Sequence, residues 1–408
     1  MTLAHGTAEP IELDRSALMQ TYAEPPVTFV RGEGTLLWDT EGRRYLDFLC
    51  GLAVTSLGHA HPAVADALST QARTLLHTSN LFGNVVAPEV AATIDRLVGG
   101  GEARAGGQVF FCNSGAEANE CAFKLARKWA GPGRHVVLSA WDSFHGRTLA
   151  TLHATGQAAR QVAFAPLPEG FEHVPYDDLE ALEAACDPSR VAAVILEAIQ
   201  GEAGVVVPSP GYLGGVRRIC EQRGILLMVD EVQTGIARTG RWFAFQHAGV
   251  EPDVVTMAKA LGNGVPIGAC WAREGVAAAF APGDHASTFG GQPLATAAAR
   301  ATLEVMETTG APGRAARAGA RLRGGLQSTD GVSGVRGEGL LLGVELVSGR
   351  AKDVTAAALR RGLIVNAPRP DTIRMAPPLL VSDDEIADAL AIFADAVGEA
   401  SPRERPDA

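Results

Sequence analysis

The chain is predicted to be an α/β protein, with a large unit built on a mostly parallel sheet flanked by helices and a smaller α+β unit drawn from both chain ends. Three observations predict this. From about Gln108, short apolar runs alternate with longer amphipathic ones, the pattern of a parallel sheet with helices on its faces. The length of 408 residues exceeds one ordinary domain. With 47% hydrophobic and 20% charged residues the chain can bury a large core.

The elements follow in order. Glu41 and Gly42 separate "GTLLWD" from "RRYLDF", which reads as a hairpin ahead of the sheet. "QVFFCN" is a strand, followed by a helical pattern from Gly115 to Trp129. "HVVLSA" and "VAAVILEAI" are strands, "GYLGGVRRICEQRG" is helical, and "ILLMVDE" and "DVVTMA" are strands again. Beyond about residue 300 come Ala/Arg-rich helix, the strand "GLLLGVELV", a helical stretch, "GLIVNA", "TIRMAP" and a terminal helix, with "SPRERPDA" read as a frayed tail. The expected division is residues 1–60, part of the small domain; 61–300, the large domain; and 301–408, the rest of the small domain.

Composition excludes several functions. The net charge of −11 argues against a nucleic-acid partner and an anionic membrane surface. No apolar run approaches the roughly 20 residues of a membrane span. "MTLAHGTAEPIELDRS" has no basic region followed by an apolar stretch, so no secretion signal is expected. Cys50, Cys112, Cys121, Cys186, Cys220 and Cys270 are scattered, without C-x-x-C or a partnering His spacing. Reduced, mostly buried thiols in a cytoplasmic protein are expected, and no metal site.

Ligands of parallel sheets bind beyond the carboxyl ends of the strands, so the polar residues there are the candidates. In "CNSGAEANECAFKLARKW", Ser114 and Glu117 have the spacing of a capping box. The stretch is either simply a well-capped helix or an anion site, because Gly115 and Ala116 leave their N–H groups open at a helix N-terminus. "ILLMVDEVQTG" leads straight into Asp230 and Glu231. That is an ordinary strand end, a metal-binding acidic pair, or a carboxylate placed to meet a cationic ligand atom. Lys259 follows "DVVTMA" in a chain with four lysines against 31 arginines. Lys can snorkel from a helix start, but unlike Arg it can also lose its proton and act as an amine nucleophile. Together the three features fit one ligand: a phosphate holder, a carboxylate for a protonated ring nitrogen, and an amine for an aldehyde. Pyridoxal 5′-phosphate has these three handles.

Over almost its whole length the chain also resembles the class III (ornithine-type) aminotransferases of pyridoxal-phosphate fold type I. The resemblance is carried by "FVRGEGTLLWDTEGRRYLDF", "GLAVTSLGHAHP", "NSGAEANECAFKLARK", "SFHGRT", "IQGEAGV", "DEVQTGIARTG", "AKALGNGVPIGA", "STFGGQPLA", "GLLLGVEL" and "IRMAPPL". It implies that Lys259 carries the covalent link to the cofactor and shuttles the proton. Asp230 would hold the ring nitrogen protonated, and Gln233 would bond the ring hydroxyl. Val232 and Phe144 would pack on opposite ring faces, and Gly115 and Ala116 would bind the phosphate. Thr288 would reach the phosphate of the neighbouring subunit, in a homodimer with shared active sites.

For substrate, the resemblance implies Arg147, Glu202, Ser287 and Arg374. Arg374 would take the α-carboxylate of glutamate, Arg147 a carboxylate of either substrate, and Glu202 would pair with Arg374 and release it for glutamate. The activity implied is transfer of the δ-amino group of N-acetylornithine to 2-oxoglutarate. Alternatives are ornithine, succinylornithine, succinyl-diaminopimelate or 4-aminobutyrate as donor, or an aminomutase of the same fold. Leu52, where ornithine enzymes tend to have Tyr, suits an acylated donor. His145 is read as a packed or hydrogen-bonded histidine, and Tyr22 as either a substrate contact or a core or interface residue. Ala198, Ala203, Ala237, Ala286 and Gln292 depart from the family pattern, as loop changes toward a stiffer backbone.

Overall fold

A computed structural model describes residues 15–400, so the tail 401–408 and most of the N-terminal stretch examined for a leader lie outside the described residues. The expected hairpin forms from β2 (Leu36–Asp39) and β3 (Arg44–Asp47), with β1 (Phe29–Glu33) antiparallel on its outer edge. Asp39 closes the turn: its Oδ1 accepts the N–H groups of Glu41 and Arg43 at 2.9 and 2.8 Å. Gly42 supplies the left-handed φ of 78° that the turn requires.

The central sheet has seven strands: β4 (Gly107–Cys112), β5 (Val136–Ala140), β6 (Phe171–Val174), β7 (Val191–Glu197), β8 (Leu226–Asp230), β9 (Val254–Met257) and β10 (Gly268–Arg273). Their order is β4-β10-β9-β8-β7-β5-β6, with β5 to β9 parallel to one another. Every residue of β7 and β8 is buried, which explains their uninterrupted apolar text: helices cover both faces. Two strands, β6 and β10, were not legible in the sequence. β10 runs antiparallel to both β9 and β4, because the link from Ala258 to Ile267 is shorter than the dozen or so residues a parallel crossover needs.

The C-terminal region contributes β11 (Val332–Glu338), β12 (Leu341–Leu346), β13 (Leu363–Ile364), β14 (Asn366–Arg369) and β15 (Thr372–Met375). β11-β12-β15-β14 is an antiparallel sheet, while β13 leaves it to pair in parallel with β3, Leu363 opposite Leu46. Helix Pro293–Thr308 packs on helices Pro62–Thr74 and Val86–Val98.

This topology prepares one place. Glu197 and Asp230 end adjacent strands side by side, and Asp230 stands opposite Thr256 of β9. Lys259 lies just past the end of β9.

Candidate active site

Asp230 is buried, and three donors hold its carboxylate. Oδ1 accepts the Val232 N–H at 3.0 Å; Oδ2 accepts Asn119 Nδ2 and faces His145 Nδ1, both at 2.8 Å. Thr256 in turn donates to Asn119 Oδ1 at 2.7 Å. A carboxylate has about four lone-pair sites, so one remains for a further donor. His145 is hydrogen-bonded as expected, but its partner is this acid, and its buried Nε2 has no partner among the described residues. Sequence reasoning missed Asn119. Its signal was a polar residue next to the apolar stripe Ala118, Cys121, Ala122 and Leu125, all buried in helix Gly115–Ala130.

Lys259 is half-buried and adopts a left-handed φ of 44°, a backbone strain of about 1–3 kcal/mol for a non-glycine residue. Its amine makes no hydrogen bond or ion pair among the described residues. Desolvation, and after it the Arg374 charge, lowers its pKa, while Asp230, Glu202 and Glu197 pull the other way. The net effect favours the neutral, nucleophilic amine.

Arg374, on β15, is only 1% exposed. Its Nη1 donates to Glu202 Oε1 at 2.7 Å and Gln233 Oε1 at 3.2 Å, and its Nε donates to Asn366 Oδ1 at 3.1 Å. Burial opposes ionisation of Glu202, yet Arg374 outweighs it, with Lys259 and Arg160 adding to the depression of its pKa. Glu197 is pushed up to about 7 by burial, and its carboxylate accepts the N–H groups of Phe144 and Gly201 at 2.9 and 3.1 Å.

Helix Gly115–Ala130 opens at the same place. Ser114 Oγ accepts the Glu117 N–H at 3.2 Å, while Glu117 Oε2 reaches back to the Asn113 N–H at 2.7 Å, one residue before a regular capping box. The first-turn N–H groups of Gly115 and Ala116 have no intrahelical acceptor. Gly115 is required here, since a Cβ would lie 2.7 Å from Val232 Cγ1. Phe144 and Val232 are both half-buried, and the Arg147 guanidinium carbon lies 5.7 Å from the Phe144 ring centroid.

Ser287 Oγ accepts Asn113 Nδ2 at 3.3 Å and the Gly290 N–H at 3.0 Å, so within one chain it joins the helix end. Thr288 is exposed. Tyr22 is 83% exposed, without a hydrogen bond among the described residues.

Arg238 is a further residue that sequence reading missed. Fully buried, it donates to the carbonyls of Leu340 and Pro377 and to Ser56 Oγ. It thereby ties the segment after β15 to the N-terminal segment. Among the departures, Gln292 Oε1 accepts the Thr78 N–H at 2.9 Å, and the Ala203 carbonyl accepts Arg369 Nε at 3.2 Å. Ala237 sits at a φ of 70°, so there the alanine costs strain as well as stiffening the loop.

A free amine, an acid with a spare acceptor site and open helix N–H groups, gathered at the carboxyl ends of parallel strands, define a pyridoxal-phosphate enzyme of fold type I. The aminotransferase class-III family model matches residues 18–397, and the chain belongs to that family. The chain is 50% identical over 386 residues to the acetylornithine aminotransferase of Corynebacterium efficiens, covering 94% of this chain and 95% of that one. It is 46% identical over 395 residues to the acetylornithine aminotransferase of Methanothermobacter thermautotrophicus, covering 96% and 99%. Among solved structures, an ornithine aminotransferase from Toxoplasma gondii with partial occupancy of pyridoxal phosphate at its active site superposes with a TM-score of 0.88. That structure is 38% identical in sequence, with 94% of this chain and 92% of that chain covered.

The residues present fit the cofactor. The unpartnered Lys259 amine suits its aldehyde, the spare acceptor of Asp230 its ring nitrogen, and the helix end its phosphate. The close Gly115–Val232 approach leaves no side chain between helix end and strand end.

Proposed function

We propose that the protein transfers the δ-amino group of N2-acetyl-L-ornithine to 2-oxoglutarate, giving N-acetyl-L-glutamate 5-semialdehyde and L-glutamate, a step of arginine biosynthesis. The observation that carries the reading is the Glu202–Arg374 pair beside Lys259: a guanidinium 1% exposed, held by a carboxylate that is itself 24% exposed. A two-substrate transaminase needs such a removable counter-ion. Arg374 can bind a substrate carboxylate in one half-reaction, and in the other Glu202 keeps it from being a buried, uncompensated charge. An aminomutase, which returns the amino group to the same molecule, has no such need.

When bound, pyridoxal phosphate supplies a protonated ring that draws electrons from the substrate carbon. Lys259 would hold the aldehyde and would move a proton at the substrate carbon. Asp230, oriented by Asn119 and His145, keeps the ring nitrogen protonated through a charge-assisted hydrogen bond. Gly115 and Ala116 would hold the phosphate, Val232 and Phe144 would flank the ring, and Gln233 would meet its hydroxyl. Arg147 and Ser287 complete the substrate site.

Leu52 supports an acylated donor. It is half-buried in a turn where Cys50, Leu52 and Ala53 all have positive φ, and its apolar side chain cannot engage a free α-amino group. Donors compared with 2-oxoglutarate as acceptor test the assignment: acetylornithine is expected to exceed ornithine, succinylornithine, succinyl-diaminopimelate and 4-aminobutyrate. Ornithine as the best donor would overturn it.

Replacing Glu202 with alanine is expected to move the ratio of half-reaction efficiencies about tenfold toward glutamate, equivalent to about 1.4 kcal/mol. Single-turnover rates with acetylornithine and with glutamate measure this. An equal fall in both would refute the exchange.

The enzyme works as a homodimer with shared sites. Leu81, Phe82, Val85 and Phe289 are between 65% and 87% exposed, apolar side chains of the kind a partner surface would cover. Asn80 and Asn84 join the two segments that carry it, donating to the Ser287 and Gly291 carbonyls at 2.7 and 3.0 Å. Thr288 lies on this same surface, so a second copy covering the patch receives it. Dilution to monomer is expected to weaken cofactor binding, measured by ultracentrifugation alongside cofactor release; affinity independent of dilution would count against shared sites.

Residues 61–300 form the cofactor-holding unit and both chain ends a second one, a division that the pairing of β13 with β3 supports. Six buried, unbridged cysteines suit a cytoplasmic setting.

A further inference from the structure

The proposed exchange at Arg374 leaves a question of charge. When a substrate carboxylate takes the guanidinium, Glu202 must leave it, and a partly buried carboxylate without a partner is costly. Beside Glu202 lies a cavity of about 420 Å³, lined also by Asp142, Gln157, Arg160, Pro368 and Arg369. Two of these residues are cations. Arg369 is occupied: its Nη2 pairs with Asp142 at 2.6 Å and its Nε donates to the Ala203 carbonyl. Arg160 is half-buried, and its guanidinium forms no ion pair or hydrogen bond among the described residues. Its guanidinium carbon lies 5.8 Å from the Phe144 ring centroid, beside the candidate active site.

We infer that Arg160 is the second seat of Glu202, receiving its carboxylate across this cavity whenever substrate occupies Arg374. Guanidinium binds a carboxylate bidentately, so Glu202 exchanges one such partner for another and never stands unpaired. Arg160 is thus a positioning residue for the glutamate half-reaction, acting through Glu202. The inference rests on the proposed Glu202–Arg374 exchange.

The test uses the holoenzyme and glutarate, an unreactive dicarboxylate that competes for Arg374, with affinity measured by calorimetry. Arg160→Gln is expected to weaken glutarate binding about tenfold, the cost of about 1.4 kcal/mol for losing the second seat. It is also expected to raise KM for glutamate by a similar factor, well beyond any rise for the amino donor. Arg160→Lys should restore part of the loss.

In a Glu202→Ala background, Arg160→Gln should change glutarate affinity less than about twofold, because residues acting as one unit are non-additive. An equal loss in both backgrounds would show that Arg160 binds the substrate directly and would overturn the inference, as would an unchanged affinity in the parent enzyme. Should Glu202→Ala alone fail to strengthen glutarate binding, the exchange at Arg374 itself fails, a separate outcome.

Discussion

Lys259→Ala is expected to abolish borohydride-reducible attachment of pyridoxal phosphate and to lower turnover by about 10⁴-fold, the upper range for loss of a positioned proton-transfer group. No neighbour can substitute. Lys124 and Lys128 are committed to Asp284 and His285, and Arg374 cannot deprotonate. Mass spectrometry of the reduced protein reads the result; a label retained on another residue would refute the assignment. Because desolvation and Arg374 lower the pKa of the Lys259 amine, attachment of the aldehyde to the cofactor-free protein should accelerate with pH. The midpoint should lie below that of a free lysine. A midpoint at or above it would mean that the three surrounding carboxylates outweigh desolvation.

Asp230→Asn is the second large effect. The replacement preserves volume but removes the charge proposed to keep the ring nitrogen protonated. A loss of about 10²–10³-fold in kcat is expected, the scale of removing one preorganised electrostatic partner. The same change leaves His145, whose ring nitrogen faces Asp230 at 2.8 Å, without its buried acid. Stopped-flow half-reactions with both substrates should therefore slow together, unlike the unequal response expected of Glu202→Ala. A kcat within about fivefold of the parent would exclude Asp230 as the ring-nitrogen partner.

Much of the site could be read from the sequence because its parts are local. Each lies where an apolar strand meets a polar residue, or where a strand opens a helix, and those junctions are visible in a few letters: "MVDEVQ", "TMAKAL", "CNSGAEAN". Arg374 and Glu202 were reachable only through the family resemblance, since an arginine in an arginine-rich chain carries no local mark of burial. Asn119, Arg238 and Arg160 were not legible. Asn119 looks like one more helix residue, and its bond to Asp230 spans 111 positions. Arg238 gains its meaning from carbonyls 102 and 139 residues away.

By itself, the sequence determined the layered α/β architecture and singled out Lys259, Asp230 and the open helix end at Gly115 as candidates, because periodicity and strand-end chemistry are short-range properties. Tertiary structure alone decided that β10 runs against its neighbours, that Asp230 is held by Asn119 and His145, and that one cavity is lined by both Glu202 and Arg160. The physical reason is that burial, pairing of charges and strand direction depend on which distant segments meet, and no local pattern encodes that meeting.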